Sequence, residues 1–191
     1  NKEKLDDQSR QYLDFLVESS YSLRNYVDGI LKFYRSDHIL EKDFEDVHLP
    51  TLLKKITDLY SLEENVQITY PDKGHLKKVN KAALSQVFMN LISNALKYNN
   101  KNQRKVDITF RTTDSYYCFA VSDNGNGIKK EDIDKIFKLF TTLDAQDRNG
   151  NHGSGIGLAT VKKHIEQMQG SIDVISEIGE GSTFKFKIKR P

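Results

Sequence analysis

The sequence contains little cysteine, proline or tryptophan and has almost no net charge. Its 191 residues include one cysteine, three prolines and no tryptophan. Because Cys118 has no partner within the chain, an intrachain disulfide framework and a zinc site built on several cysteines are excluded, and a cytoplasmic location is favoured. Lys and Arg total 29 against 27 Asp and Glu, a formal charge of +2. This balance gives no reason to expect nucleic acid or an acidic membrane as a partner, so any anion site must be local.

Long apolar runs are also missing. None approaches the roughly 18 residues that a membrane-spanning helix needs. Hydrophobic residues nevertheless make up 37% of the chain, enough to bury a sizeable core. Asn1 is not a methionine, so we expect the chain to be part of a longer protein, either a free cytoplasmic protein or the cytoplasmic part of a membrane-bound sensor.

The first 43 residues are predicted to form a helix and a linker. Between about residues 9 and 36, apolar residues recur at alternating spacings of three and four, which is a heptad pattern. They are Leu13, Leu16, Leu23, Val27, Ile30 and Tyr34, with Ser20 in the one gap, while Tyr12, Tyr26 and Phe33 widen the stripe. Two interpretations fit the pattern equally: a helix that packs on its own domain, and a helix of an inter-chain bundle.

Residues 44–191 alternate between strand-like and helix-like patterns and are predicted to form a second domain. We expect a two-layer α+β sandwich, a mixed sheet with helices on one face, preceded by the long helix. The predicted elements are a short strand at 47–49, helices over 50–60 and 80–95, strands over 66–70, 106–111 and 116–122, helices over 131–140 and 155–169, and a hairpin of 172–176 with 183–188.

One polar cluster lies on the predicted helix over 80–95 and just beyond it. Asn90 and Asn94 are four residues apart and project from one face, and Lys97 adds a cation one turn later. Amide oxygens suit Mg²⁺, and lysine supplies a point charge for phosphate. A solvated helix flank would give the same pattern.

Two glycine-rich clusters come later in the chain. Asp123-Asn-Gly-Asn-Gly127 comes after an apolar strand, where a carboxylate can accept a hydrogen bond from an exocyclic amine, or cap a purely structural turn. Gly153-Ser-Gly-Ile-Gly157 immediately precedes a helical pattern, so its amides and the positive end of the helix suit a phosphate. The polar stretch over 141–152 predicts a flap, or a plain flexible loop.

In this order the clusters resemble the catalytic ATP-binding domain of sensor histidine kinases. These belong to the Bergerat-fold ATPases, which also include gyrase, mismatch-repair ATPases and heat-shock chaperones. The resemblance rests on an N box Asn90-Leu-Ile-Ser-Asn94-Ala-Leu-Lys97-Tyr98, a first glycine box Asp123-Asn-Gly-Asn-Gly127, an F box Ile136-Phe137-Lys-Leu-Phe140 and a second glycine box Gly153-Ser-Gly-Ile-Gly157-Leu-Ala. Residues 12–36 resemble the second helix of the family's dimerisation and phosphotransfer hairpin.

The resemblance implies a Mg²⁺·ATP site. Asn94 would hold Mg²⁺, Asn90 and Lys97 would be the catalytic residues beside the triphosphate, and Tyr98 would pack near the nucleoside. Asp123 would bind the adenine amino group. The remaining expected ATP-binding residues are Gly125, Gly127 and Ile128 at the adenine, Phe137 and Phe140 at the start of the flap, which would act as a lid, Gly153, Ser154, Gly155, Ile156, Gly157 and Leu158 at the phosphates, and Thr183 late in the pocket.

The implied function is that of a two-component histidine kinase core. Its expected partners are ATP, its own phosphotransfer histidine helix, a response regulator and a second copy in a homodimer. The family's phosphoacceptor box, a histidine and an acidic residue with proline five positions after the histidine, is absent, so we expect it upstream of Asn1. The family's arginine after the F box is replaced by Thr141 and Thr142.

Alternative functions differ in the step after nucleotide binding. A nucleotide-binding pseudokinase would bind ATP without transfer and use its first helix only for docking. An ATP-driven clamp is disfavoured because efficient ATP hydrolysers of the superfamily have a glutamate where Asn90 stands, and an amide cannot take a proton from water. The amide therefore predicts slow hydrolysis. A serine kinase is disfavoured by the first helix.

Overall fold

The computed structural model describes residues 6–35, 44–143, 147–148, 150 and 153–191. The helices are α1 (Asp7–Arg35), α2 (Leu49–Thr57), α3 (Lys81–Lys97) and α4 (Gly157–Gln167), with short 3-10 helices at Asp58–Tyr60 and Lys130–Asp132. The strands are β1 (Phe44–His48), β2 (Val66–Thr69), β3 (His75–Asn80), β4 (Arg104–Thr112), β5 (Tyr116–Asp123), β6 (Ser171–Glu177) and β7 (Gly181–Lys189). Part of the flap and part of the linker predicted from the sequence lie outside the described residues.

The first helix is confirmed, with a cap that the heptad pattern does not reveal. Asp6 Oδ1 accepts a 2.7 Å hydrogen bond from the Ser9 amide, which satisfies one free donor of the first turn. Apolar side chains of α1 remain exposed in the single chain, including Leu16 at 59% and Leu23 at 65%. Within the described ranges, no helix has both the length and the apolar character that crossing a bilayer requires.

The main sheet has five strands in the order β2-β4-β5-β7-β6. β2 pairs with β4 in parallel and the other pairs are antiparallel, so the predicted mixed sheet is confirmed and β5 is its centre. Alternation along β7 buries Phe184, Phe186 and Ile188, while Lys185 and Lys187 face solvent on the other side. The helices therefore cover one face only.

The core lies between this face and α3. Phe88 of α3 is fully buried, and its ring meets Phe119 and Phe186 edge-on, each with 5.6 Å between centroids. Burial of such a side chain stabilises the fold by about 2 kcal/mol. Asn80 caps α3, because its side chain accepts a 2.9 Å bond from the Ala83 amide.

Two sequence-based assignments are wrong. The predicted helix over 131–140 is only the 3-10 helix Lys130–Asp132 followed by turns, because the Phe140 amide bonds the distant Gly155 carbonyl instead of continuing a helix and Phe140 has φ of +62°. The strand β3, which pairs with β1, was missed. Its apolar residues Leu76 and Val79 are three apart, and Lys78 between them has φ of +47°, so the sequence shows no alternation.

Candidate functional site

A cleft of about 260 Å³ lies between the second half of α3, the end of β5 and the start of α4. It brings together the three polar clusters found in the sequence. Of the predicted site residues, those that line the cleft are Asn90, Asn94, Lys97, Tyr98, Asp123, Gly127, Ile128, Gly153, Ser154, Gly155, Gly157 and Leu158.

Asp123 ends the central strand β5 with one carboxylate oxygen bonded and the other open. Oδ1 accepts from the Gly125 amide at 2.8 Å and from the Ser182 amide at 3.3 Å. Oδ2 has no hydrogen-bond partner among the described residues. Burial raises the pKa of the Asp123 carboxyl, and the two amide bonds partly oppose this shift. The site thus offers one oriented acceptor for an amine donor.

The turn after Asp123 is fixed against the β6–β7 hairpin. Gly127 has φ of +73°, and a Cβ there would lie 2.0 Å from the Glu177 carbonyl oxygen. The Gly179 amide bonds the Asn126 carbonyl at 2.9 Å, and the Ile128 amide donates to the Ser176 hydroxyl at 2.8 Å. Only glycine fits at 127, because both the backbone angle and the close approach exclude a side chain.

The other end of the cleft presents the start of a helix and a lysine. α4 begins at Gly157 with no side-chain cap and no acidic residue in its first turn. Its free amides and positive helix end are suited to a phosphate. Lys97 has no ion-pair partner among the described residues. A Cβ at Gly157 would lie 3.4 Å from Asn90 Oδ1, so this amide of α3 stands beside the first residue of α4.

Tyr98 forms part of the wall between the two ends. A Cβ at Gly153 would lie 2.4 Å from the Tyr98 hydroxyl oxygen, so the tyrosine closes over the second glycine box. Burial, together with the negative charge of Asp147, raises the pKa of the Tyr98 phenol. The Arg148 amide bonds the Lys97 carbonyl at 2.9 Å, which ties this part of the 141–152 stretch to the end of α3.

Five predicted site residues do not line the cleft. Gly125 and Phe137 lie next to residues that do line it. Gly125 lies between Asp123 Oδ1 and the Tyr98 carbonyl. The centroid of the Phe137 ring is 6.5 Å from that of Phe184, a cleft residue. Ile156 is buried at the cap of α4.

Phe140 and Thr183 are the other two. The Phe140 amide donates to the Gly155 carbonyl at 3.0 Å, so it joins the F box to the second glycine box through the backbone. Thr183 bonds the Ser122 hydroxyl at 3.0 Å on the sheet face that carries Lys185. The structure therefore does not bring the Thr183 side chain into the cleft.

Several lining residues were missed by the sequence analysis. They are Ser93, Ala95, Asn126, Ile136, Thr141, Thr142, Leu143, Ser182 and Phe184. A signal for Ser182 was present, since strand alternation places it on the same face as Phe184 and turns Thr183 away. Asn126 was within a recognised box but had no assigned role.

The donor set fits a magnesium–nucleotide complex better than a metal centre held by the protein alone. Among the described residues, no group of three or more His, Cys, Asp or Glu side chains could hold a metal ion. The neutral amide oxygens of Asn90 and Asn94 suit a Mg²⁺ ion whose other ligands are phosphate oxygens and water.

Comparison with known proteins agrees with this geometry. Residues 79–191 match the family described as histidine kinase-, DNA gyrase B- and HSP90-like ATPases. The phytochrome-like protein Cph1 of Synechocystis sp. is 33% identical in an alignment of 193 positions, gaps included, that covers 97% of this chain and 25% of Cph1. This chain thus spans about a quarter of that relative's length.

Solved structures show the same architecture. Full-length ShkA, in complex with AMPPNP, superimposes with a TM-score of 0.71 at 26% identity, over 98% of this chain and 40% of ShkA. The histidine kinase ThkA, in complex with the response regulator TrrA, gives a TM-score of 0.68 at 20% identity over 98% of this chain and 53% of ThkA. Since the family match covers more than half of the residues and the fold agrees, this chain belongs to the histidine kinase-, DNA gyrase B- and HSP90-like ATPases.

Proposed function

We propose that this chain is the catalytic core of a two-component sensor histidine kinase. It binds Mg²⁺·ATP and transfers the γ-phosphoryl group to a histidine on a helix encoded upstream of Asn1. The observation that carries the proposal is that one cleft combines the open Asp123 oxygen at one end with Lys97 and the uncapped start of α4 at the other. This polarity suits a ligand with an amine-bearing base and a polyphosphate.

The roles of the residues follow from their chemistry. Asp123 Oδ2 accepts from the adenine amino group, and Tyr98 packs beside the nucleoside. Lys97 and the first amides of α4 bind phosphate oxygens. Asn94, with Asn90 beside it, holds Mg²⁺, which neutralises phosphate charge when bound.

Asn90 also determines which nucleophile reacts. Its amide cannot accept a proton from water at neutral pH, so water in the cleft is not activated. An incoming histidine imidazole already carries a lone pair. Its nitrogen forms the new bond to the γ-phosphorus, the bond from that phosphorus to the β–γ bridging oxygen breaks, and ADP leaves with the electron pair. Catalysis is then mainly positioning and charge stabilisation.

The proposed partners rest on α1 and on the relatives. The exposed apolar stripe of α1 supports a helical bundle with a second copy and with the protein's own phosphotransfer helix. The complex of ThkA with a response regulator supports a response regulator as the next phosphoryl acceptor. We place this core in the cytoplasm, where ATP is available.

The test is a phosphotransfer assay with a longer chain. The protein extended upstream to include the acceptor histidine is incubated with γ-labelled ATP and Mg²⁺, and the same chain with that histidine changed to Gln is the control. The proposal predicts label that is stable to base, labile to acid and absent from the control. ATP binding without any label would contradict the proposal and support a pseudokinase.

A further inference from the structure

We infer that Asn99 and Asn124, neither of which lines the cleft, are positioning residues that set the spacing between the base-binding and phosphate-binding ends of the site. The inference rests on the proposed function and adds to it. α3 carries Asn90, Asn94 and Lys97, whereas Asp123 belongs to β5. Nucleotide recognition requires these two elements to keep a fixed relation, and the two asparagines connect them directly.

Asn99 is a fully buried polar side chain just after the end of α3. Its Nδ2 donates to Asn124 Oδ1 at 2.8 Å, and its Oδ1 accepts from the Lys101 amide at 3.0 Å. A buried amide without partners would cost about 1–3 kcal/mol, so both bonds hold the side chain in one orientation.

Asn124 follows Asp123 immediately and uses its whole side chain on the protein. Its Oδ1 also accepts from the Lys105 amide at 2.8 Å, and its Nδ2 donates to the Gln103 carbonyl at 3.0 Å. These backbone partners lie at the start of β4, so the peptide that leads out of Asp123 is bound both to the segment after α3 and to β4.

The backbone completes the connection. The Asn126 amide bonds the Tyr98 carbonyl at 3.2 Å, and the Asn100 amide bonds Asn126 Oδ1 at 3.3 Å. The turn that orients Asp123 is thereby joined to the residues just after α3 both through a side-chain bond and through bonds of the backbone. Of these contacts, only the bond from Asn99 to Asn124 links side chain to side chain, and it is fully removed by a single substitution.

The donor pattern fixes both amide orientations. The Lys101 and Lys105 amides can only donate, and the Gln103 carbonyl can only accept, so Asn99 must present its NH₂ to the Asn124 oxygen. Loss of that NH₂ leaves Asp123 with its own backbone bonds to Gly125 and Ser182 but removes the side-chain link to the segment after α3, so the two bonds of Asn126 must hold the turn there alone. The expected consequence is a loss of base selectivity more than a loss of phosphate binding.

The experiment compares two triphosphates on the 191-residue chain with Mg²⁺. ATP and purine riboside triphosphate differ only in the 6-amino group that Asp123 is proposed to recognise. Dissociation constants for both are measured for the wild type, Asn99→Ala, Asn124→Ala and the double variant. The matched control is Asn102→Ala, an exposed asparagine of the same loop with no hydrogen bond to any described residue.

We expect the wild type and the control to favour ATP by about tenfold or more, the effect of one hydrogen bond to a charged group. Asn99→Ala should reduce this ratio severalfold, and the double variant should reduce it no further than the larger single effect. If Asn99→Ala does not fold, Asn99→Ser, measured at low temperature, should show the same fall in the ratio of the two dissociation constants.

Two results would overturn the inference. A purely structural role would lower the melting temperature or weaken both nucleotides equally, with the ratio unchanged. Additive effects of the two substitutions on the ratio would show that they do not act through one contact. A wild type that binds neither triphosphate contradicts the proposed function itself, and the variants are not needed for that conclusion.

Discussion

The two ends of the cleft are built differently. At the base end, Asp123 and the turn after it bond to the segment that follows α3, to β4 and to the β6–β7 hairpin, and one oxygen, Asp123 Oδ2, stays open. At the phosphate end, α4 starts without a side-chain cap and Lys97 has no ion-pair partner among the described residues.

This difference indicates a division of labour. The base end is complete as a protein structure and recognises its ligand through one oriented acceptor. The phosphate end has amide donors and a lysine charge that no described residue satisfies and that suit an anion. Substitutions at the base end should therefore damage stability or selectivity, whereas substitutions at the phosphate end should weaken polyphosphate binding and leave the fold intact.

The largest expected effect is at Gly127. Gly127→Ala adds a Cβ that would lie 2.0 Å from the Glu177 carbonyl oxygen and forces a left-handed alanine, so we expect a loss of about 3 kcal/mol in unfolding free energy. Gly179→Ala is the matched control: its φ is +85°, but a Cβ there meets nothing within 4 Å. It should cost about 1 kcal/mol. Equal losses by chemical denaturation would show that the hairpin does not constrain the turn.

The next largest effect is a loss of ATP affinity at Asp123. Asp123→Asn can still accept the two backbone amides but presents NH₂ to the adenine amine, so ATP affinity should fall about 10- to 100-fold. Calorimetric titration with ATP measures this loss. An unchanged affinity would remove Asp123 from the base site.

The Asp123 carboxylate should favour ATP binding but lower the stability of the folded chain, and the stability cost should depend on pH. Because burial raises the folded-state pKa of the Asp123 carboxyl, its charge costs stability above that pKa, and the cost is relieved as the pH falls through it. Asp123→Asn should therefore be at least as stable as the wild type at neutral pH, and its advantage should shrink in acid. Thermal unfolding across this range checks the sign, and a destabilised variant at neutral pH contradicts it.

Asn94 tests the phosphate end. Asn94→Ala removes an amide oxygen proposed to hold Mg²⁺, so the gain in ATP affinity on adding Mg²⁺ should fall about tenfold, with little change in melting temperature. Asn102→Ala is the control. A variant that keeps the full magnesium effect would contradict the metal role of Asn94.

The smallest expected effect is at Gly153. It tests whether a side chain at the phosphate end, that of Tyr98, rather than the backbone limits the space there. A Cβ at Gly153 would overlap the Tyr98 hydroxyl oxygen at 2.4 Å but would lie 3.7 Å from the ring carbon that bears it. Gly153→Ala should weaken ATP binding severalfold, and Tyr98→Phe should restore most of the loss because it removes only the overlapping atom. Failure of this rescue would place the constraint in the backbone, as at Gly127.

The sequence predicted the frame of the site better than its details. Most of the residues that line the cleft could be predicted from the spacing of Asn90, Asn94 and Lys97 and from the glycine boxes. Each of these motifs lies within one short segment of the chain. Thr183 was a poorer prediction, although alternation along β7 already turned it away from Phe184 and pointed to Ser182.

The features that the sequence could not reveal depend on contacts between distant segments. Asn99 looks like any polar residue after a helix, and only the position of Asn124 beside β4 shows that it is buried and bonded. The segment over 131–140 has helical spacing, but the Phe140 amide bonds the Gly155 carbonyl of the second glycine box, a contact between distant segments that a continuing helix would not make.

The most direct test of the account is a calorimetric titration of the folded chain with ATP in the presence of Mg²⁺, followed by inorganic tripolyphosphate and by adenosine alone. The account predicts one site per chain for ATP, with both halves of the ligand bound more weakly than the whole. A folded chain that shows neither binding heat nor a thermal shift with Mg²⁺·ATP would contradict it.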